Sequence, residues 1–289
     1  MKNILFTLSL AAMILASCSH EDEVTPSKFI TVNAQVGTLT KASSTAFEAN
    51  DQISVYAWTG DNTTISTPLV VNNVINTYDG TDAWTPASQM LWQDMTTNHY
   101  FLGVYPAHEI TDFTADPYTF DASNPETSDL LIATNLDGLN ANQKQTVPLL
   151  FDHVMSKVTI NLNYNNQWGD EGPTVSSVHM PVLTSATVDY LNKTVTATGT
   201  TTSDIALDTI TVNKSYTSIL VPQTIYNIVI KIDGKDYKYN NTTGIILEKG
   251  TNQVINLIVG RDEIKLGSVT INDWVAGTPI DGGEAQSEL

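Results

Sequence analysis

Along most of the chain, apolar and polar residues alternate with a period of two, and no stripe of helical period stands out. Ile30, Val32, Ala34 and Val36 alternate with Thr31, Asn33 and Gln35, as a strand with one buried face does. Ile53, Val55 and Ala57 repeat the pattern, followed by the apolar run Tyr100 to Tyr105. Val158, Ile160, Leu162 and Tyr164 form another clean alternation. Ile228, Ile230 and Ile232 lead through Asp233-Gly234 to Tyr237 and Tyr239. That pattern predicts a hairpin, with Asp-Gly supplying the positive φ angles of a tight primed turn. Val254 to Val259 and Val269 to Ile271 add later strands. Short strands separated by Thr, Asn and Gly predict an all-β chain built of β-sandwiches, with at most a short helix in a loop.

Two polar stretches interrupt the first half. Thr59 to Ser88 is rich in Asn, Thr and Asp, and Ala107 to Ser128 carries Pro117 and Pro125, so both read as long loops. Near Met155-Ser156 this loop-rich half gives way to tighter meanders, which places a domain boundary there. Roughly 260 residues follow the N-terminal segment, enough for two domains of ordinary size. The expected division is 29–156 for an N-terminal β-sandwich and 157–289 for a C-terminal one.

The first residues read differently. Lys2 supplies a positive charge, and Ile4 to Leu15 is an apolar run broken only by Thr7 and Ser9. A bilayer span needs about 20 apolar residues, so this run fits the core of a secretory signal peptide instead. It ends in Leu15-Ala16-Ser17-Cys18, which resembles the lipobox of bacterial lipoproteins. That resemblance implies a signal peptide over 1–17, cleavage before Cys18 and acylation of its thiol and new amine. Cys18 is the single cysteine, so the mature fold has no disulfide and must be held by burial. Two or more acyl chains anchor a protein stably where one does not. Residues 18–28, polar and acidic through Glu21-Asp22-Glu23, form a tether, and the acidic run resembles that of some surface-exported lipoproteins.

Charge narrows the partners. Lys and Arg number 13 against 31 Asp and Glu, a net −18, which repels nucleic acid and anionic membranes. Charged residues are only 15% while 41% are hydrophobic. This combination describes neutral polar faces over a real core, not a disordered chain. Catalytic chemistry has no signature here. His20, His99, His108, His153 and His179 show no zinc spacing, and no nucleophile elbow, phosphate loop or dinucleotide fingerprint is present. Asp112, Asp116 and Asp121 could line a calcium loop but lack the EF-hand pattern, so solvated loop charge is the expectation. His153 reads as a core histidine. No enzyme, metal or cofactor is expected.

Ordered motifs carry a family resemblance. Phe47-Glu48-Ala49-Asn50-Asp51-Gln52-Ile53-Ser54-Val55-Tyr56-Ala57 resembles the opening signature of the fimbrillin family, the subunits and anchors of type V pili. Asn50 stands where that family has glycine, and Asn tolerates positive φ better than most residues; Ser54 replaces a second glycine. Met90-Leu91-Trp92, then Tyr100-Phe101 to Tyr105-Pro106, resemble the family's tryptophan strand and its aromatic strand ending in Tyr-Pro. Asp129 to Ala133, Leu149 to Val158, Ile219-Leu220-Val221-Pro222-Gln223, and Leu247 to Val259 with Ile271-Asn272-Asp273-Trp274 follow in the family's order. Read from the residues alone, Trp92, Phe101 and Tyr105 are core side chains and Asp51 is a turn former.

The resemblance implies two tandem sandwiches of transthyretin-like, Greek-key type and a structural or adhesive role in a fimbrium on the outer membrane. It also implies proteolytic removal of the first strand after a basic residue, then addition of a neighbouring subunit's strand. Here that strand is Ile30, Val32, Ala34 and Val36, and the candidate cut is Lys41-Ala42; the one arginine, Arg261, lies far from it. The implied partners are other pilus subunits, the processing protease and the outer membrane through the lipid. Two alternatives stand beside this reading. One is an unprocessed lipidated anchor; the other is a surface glycan-binding lipoprotein using exposed Trp58, Trp84 or Trp168.

Overall fold

The computed structural model describes residues 27–37, 46–143, 146–169 and 172–273. The expected signal peptide, Cys18, most of the tether, Lys41, Ala42 and Trp274 lie outside the described residues. The chain is all-β. Seven strands make the first sheet: β1 (Thr31–Val36), β2 (Gln52–Thr59), β3 (Val71–Tyr78), β4 (Trp84–Pro86), β5 (His99–Tyr105), β7 (Leu131–Leu139) and β8 (Thr146–His153). Their spatial order is β1-β8-β7-β5-β2-β3-β4. The polar stretch expected as a loop over Thr59 to Ser88 holds both β3 and β4; β3 breaks the alternation, with Asn73 at φ 49° and the polar Asn76 fully buried, which weakens the sequence signal.

This sheet curls until its two ends meet. Phe29 bridges Leu91, the Ile30 N–H donates to the Met90 carbonyl at 2.9 Å, and the Trp84 indole donates to the Ala34 carbonyl. Inside the curl lies one cluster: Ile30, Val32, Ala34 and Val36 against Ile53, Val55, Phe101, Leu149, Phe151, Trp84 and Trp92. The space is tight. A Cβ built on Gly103 would sit 2.6 Å from the Phe151 ring, so only glycine lets β5 and β8 side chains share that layer.

The second half stacks two sheets. One runs β14 (Asp208–Thr211), β15 (Ser215–Leu220), β9 (Ser156–Tyr164), β18 (Thr251–Val259), β19 (Ile264–Asp273); the other runs β13 (Ser203–Ala206), β10 (Val175–Val182), β16 (Gln223–Ile232), β17 (Lys235–Leu247). Val158, Ile160, Ile255 and Leu257 share their core with Val178, Met180, Ile228 and Ile230. The predicted hairpin is present: Ile228 pairs with Tyr239, and Asp233 and Gly234 take φ of 46° and 79°. On the outer face of β9 and β18, Asn161 donates to Asn256 at 2.9 Å and Ser215 to Asn161 at 2.8 Å. The abundant Thr and Asn are therefore cross-strand ladders that keep a neutral face paired.

The halves are joined through the first sheet's other face. β2 is buried on both sides: Ile53, Val55 and Ala57 enter the curl, while Tyr56 and Trp58 join the core of the second half with Leu102, Val104 and Ile132. The stretch Ala107 to Ser128, expected as a loop, contributes β6 (Asp116–Thr119), which pairs with β11 (Ser185–Asp189) and through it with β12 (Thr194–Thr198). Asp116 is not solvated loop charge. It is buried, and its Oδ1 accepts from the Thr111 N–H and hydroxyl while Oδ2 accepts from the Tyr190 hydroxyl at 3.1 Å. His108 lies 2.9 Å from the same Tyr190 oxygen. Burial and then the Asp116 carboxylate push the Tyr190 phenol far above its ordinary value.

Two stability outcomes are expected. Gly103→Val should cost about 1–3 kcal/mol or more, because Phe151 is fully buried and has nowhere to move. Tyr190→Phe strips Asp116 of a buried partner and should cost about 1–3 kcal/mol. Urea unfolding with unchanged m-values reads both.

Candidate functional site

β1 occupies an unusual position. It pairs on one flank only with β8, in parallel, from Thr31 opposite Thr146 to Val36 opposite Phe151. Parallel pairing bonds slightly less well per residue than antiparallel. On the other flank the main chain is engaged near its start, where the Trp92 N–H donates to the Lys28 carbonyl at 3.2 Å and Ile30 bonds Met90, and again at Ala34, whose carbonyl accepts from the Trp84 indole at 3.3 Å. β1 is thus an end strand and the first strand among the described residues, so its removal threads nothing through the rest of the sheet.

Its attachment is mainly apolar. Ile30, Val32, Ala34 and Val36 are all buried, and the residues between them face outward. Burial of the three larger side chains is worth about 5–8 kcal/mol, comparable with the net stability of a whole domain. Beyond β1, the Gly37 N–H donates to the Phe151 carbonyl at 2.7 Å. The candidate bond Lys41-Ala42 falls in the undescribed residues 38–45, and the chain is described again just before Phe47. Phe47 sits edge-on to Trp84, Tyr105 and Phe151 at 4.9, 5.4 and 5.3 Å between ring centroids. The turn that follows holds Asn50 at φ 77°, as its place in the glycine position requires. Asp51 accepts from the Glu48 N–H at 2.7 Å and from the Tyr105 hydroxyl at 3.2 Å. The downstream border of the site is therefore pinned independently of β1.

The other candidate chemistry dissolves into structure. Trp58 is fully buried with its indole donating to Asp61, and Trp84 is buried with its indole on Ala34; neither offers a face to a sugar, which removes both as stacking platforms for the glycan-binding alternative. Trp168 is half-buried, its indole donates to Val259 at 2.9 Å, and the Arg261 guanidinium lies over its ring at 5.4 Å. His153 pairs with Asp129 at 2.7 Å, and burial pushes the Asp129 carboxyl up. His99, which sequence reasoning did not single out, is more deeply buried. Its Nε2 accepts from the Gln93 N–H at 3.0 Å, leaving Nδ1 to donate to the Thr97 carbonyl, and burial lowers its pKa. Asp112 and Asp121 each cap their own loop, accepting from Thr114 and Ser123. Among the described residues, no three His, Cys, Asp or Glu side chains gather as a metal site would, and no helix is long and apolar enough to cross a membrane.

A closed curl, central strands buried on both faces and an end strand seated by apolar side chains define a β-rich fold. A family profile described as Fimbrillin-like matches residues 40–274, and the chain belongs to that family. No curated protein matches it significantly. Solved structures share the fold. A candidate cell-adhesion protein from Bacteroides uniformis superposes with TM-score 0.68 at 18% identity, covering 86% of this chain and 98% of its own. One from Bacteroides ovatus gives 0.70 at 14%, covering 87% and 99%. A fimbrial protein from Bacteroides vulgatus gives 0.56 at 15%, covering 85% and 99%.

The loop aspartates make a testable statement. Asp61, Asp79, Asp94, Asp112 and Asp121 are all held below the ordinary 3.8, chiefly by hydrogen bonds from neighbouring Thr, Ala or Ser groups. A depressed carboxyl pKa contributes stability present above the unfolded value and lost as pH falls through the folded one. Carboxyl NMR titration should find these five titrating below free aspartate, Asp94 lowest, with their loops losing order in that acid window. Added calcium should leave the shifts and the thermal midpoint unchanged.

Proposed function

We propose that the chain is a fimbrial subunit, delivered to the cell surface as a lipoprotein on Cys18 and readied for assembly by a cut at Lys41-Ala42. The observation that carries this reading is β1 itself: an end strand, parallel to one neighbour and seated by four buried side chains, followed at once by the segment holding Lys41. A cut there separates β1 covalently from Phe47 onward while leaving the rest of the sheet paired. Loss of the strand exposes the β8 edge and the apolar interior of the curl, and a neighbouring subunit's strand restores both. The energy that β1 contributes is then the driving force for polymerisation. Membership of a fimbrial family and the fold shared with fimbrial and adhesion proteins support the same role. We read residues 29–156 and 157–289 as the two domains of this subunit, held as one body by β6 and the shared faces of β2, β5 and β7.

Limited trypsin digestion of the folded chain should yield a product beginning at Ala42 that forms ladder-like oligomers, and Lys41→Ala should abolish both. Lys144→Gln is included in each chain so that the β7–β8 connection is not cut. Cys18→Ala should remove all label from an alkyne fatty acid fed to cells. If cellular chains all begin at acylated Cys18 and the trypsin product stays monomeric, the subunit reading fails and the unprocessed lipidated anchor replaces it.

A further inference from the structure

The four inward positions of β1 are not equivalent, and the exception lies beside Trp84. Three are large aliphatics, Ile30, Val32 and Val36, and the third of the four is Ala34. At that residue the indole N–H of Trp84 reaches the Ala34 carbonyl at 3.3 Å. Trp84 is the neighbour β1 meets there on the flank away from β8. Its position does not depend on β1: it pairs opposite Tyr78, stacks on that ring at 5.0 Å and 28°, and meets Phe47 edge-on. The indole is therefore a fixed wall with one buried donor.

Hydrophobic alternation leaves an ambiguity that this wall resolves. Sliding a strand by one residue turns its apolar face outward and is rejected by burial. Sliding it by two keeps every apolar residue inward, so burial alone barely opposes it. A two-residue slip does, however, bring Val32 or Val36 to the place of Ala34, against an indole held on both sides. Extra methyl groups forced into such a site cost about 1–3 kcal/mol.

We propose that Trp84 reads the strand that fills this groove: it admits a small residue at the third of four alternate inward positions, large aliphatics at the others, and thereby fixes register. The proposal deepens the strand-exchange reading and rests on it. The kind of partner is thereby specified as a strand of pattern large-x-large-x-small-x-large, running parallel to β8.

The test uses the full chain carrying Cys18→Ala, Lys144→Gln and Leu150→Cys, folded, cut after Lys41 and given excess labelled peptide spanning residues 27–37. Gln35 and Leu150 are register partners and both point outward. A Gln35→Cys peptide should form a disulfide with the chain, and Asn33→Cys or Gly37→Cys peptides should not. Leu in place of Ala34 should weaken capture at least about tenfold, whereas Leu in place of Val32 should not. In a Trp84→Ala chain the penalty at position 34 should vanish and the 33 or 37 disulfides should appear. Equal tolerance of Leu at 32 and 34 by the chain with Trp84 intact overturns the proposal without needing that variant to fold. Persistence of the penalty and of the single register in folded Trp84→Ala also overturns it. Failure of the native peptide to bind at all defeats the strand-exchange reading, and this inference falls with it.

Discussion

A sheet that curls around a core has two ends, and closing them is the constraint on which this structure rests. β1 does the closing. Its four buried side chains complete the cluster of Phe101, Phe151, Trp84 and Trp92, and its main chain ties β8 on one flank to residues 90–92 on the other. Without it, the β8 edge and the interior of the curl would face water together. Among the described residues the strand is the first in sequence and lies at one end of the sheet.

A second constraint keeps the opening local. The central strands β2, β5 and β7 are buried on both faces, so the wall opposite β1 is backed by the core of the second half. β6 pairs across the halves, and Asp116, Tyr190 and His108 fasten that crossing with buried hydrogen bonds. Removing β1 thus uncovers a groove in a scaffold that is supported from behind. Phe47 and the Asp51 turn hold the downstream border through contacts with β4, β5 and β8. Trp84, braced by Tyr78 and Phe47, holds its indole N–H on the Ala34 carbonyl of β1.

The surface follows from the same economy. With few charges and many Thr and Asn residues, the outward faces are paired laterally, as in the Asn161–Asn256 and Thr159–Asn252 bonds between β9 and β18. Aspartates fold back on their own loops, each accepting from residues two or three places on. These aspartates are therefore spent on turns between strands.

Read alone, the sequence determined what depends on neighbours along the chain. Period-two alternation located β1, β2, β9 and β16, and Asp233-Gly234 located a primed turn, because each is a property of a few consecutive residues. The ordered motifs beginning at Phe47 identified the family for the same reason. Tertiary structure alone decided what depends on residues far apart. It made β3, β4 and β6 strands out of polar stretches, since strand pairing supplies their backbone partners whatever their side chains. It buried Trp58 and Trp84, which a sequence cannot distinguish from exposed tryptophans, because burial comes from elements tens of residues away. It turned Asp116 from an apparent loop charge into a buried anchor by bringing Tyr190 to it. And it brought the Trp84 indole N–H to the Ala34 carbonyl, fifty residues away in the chain.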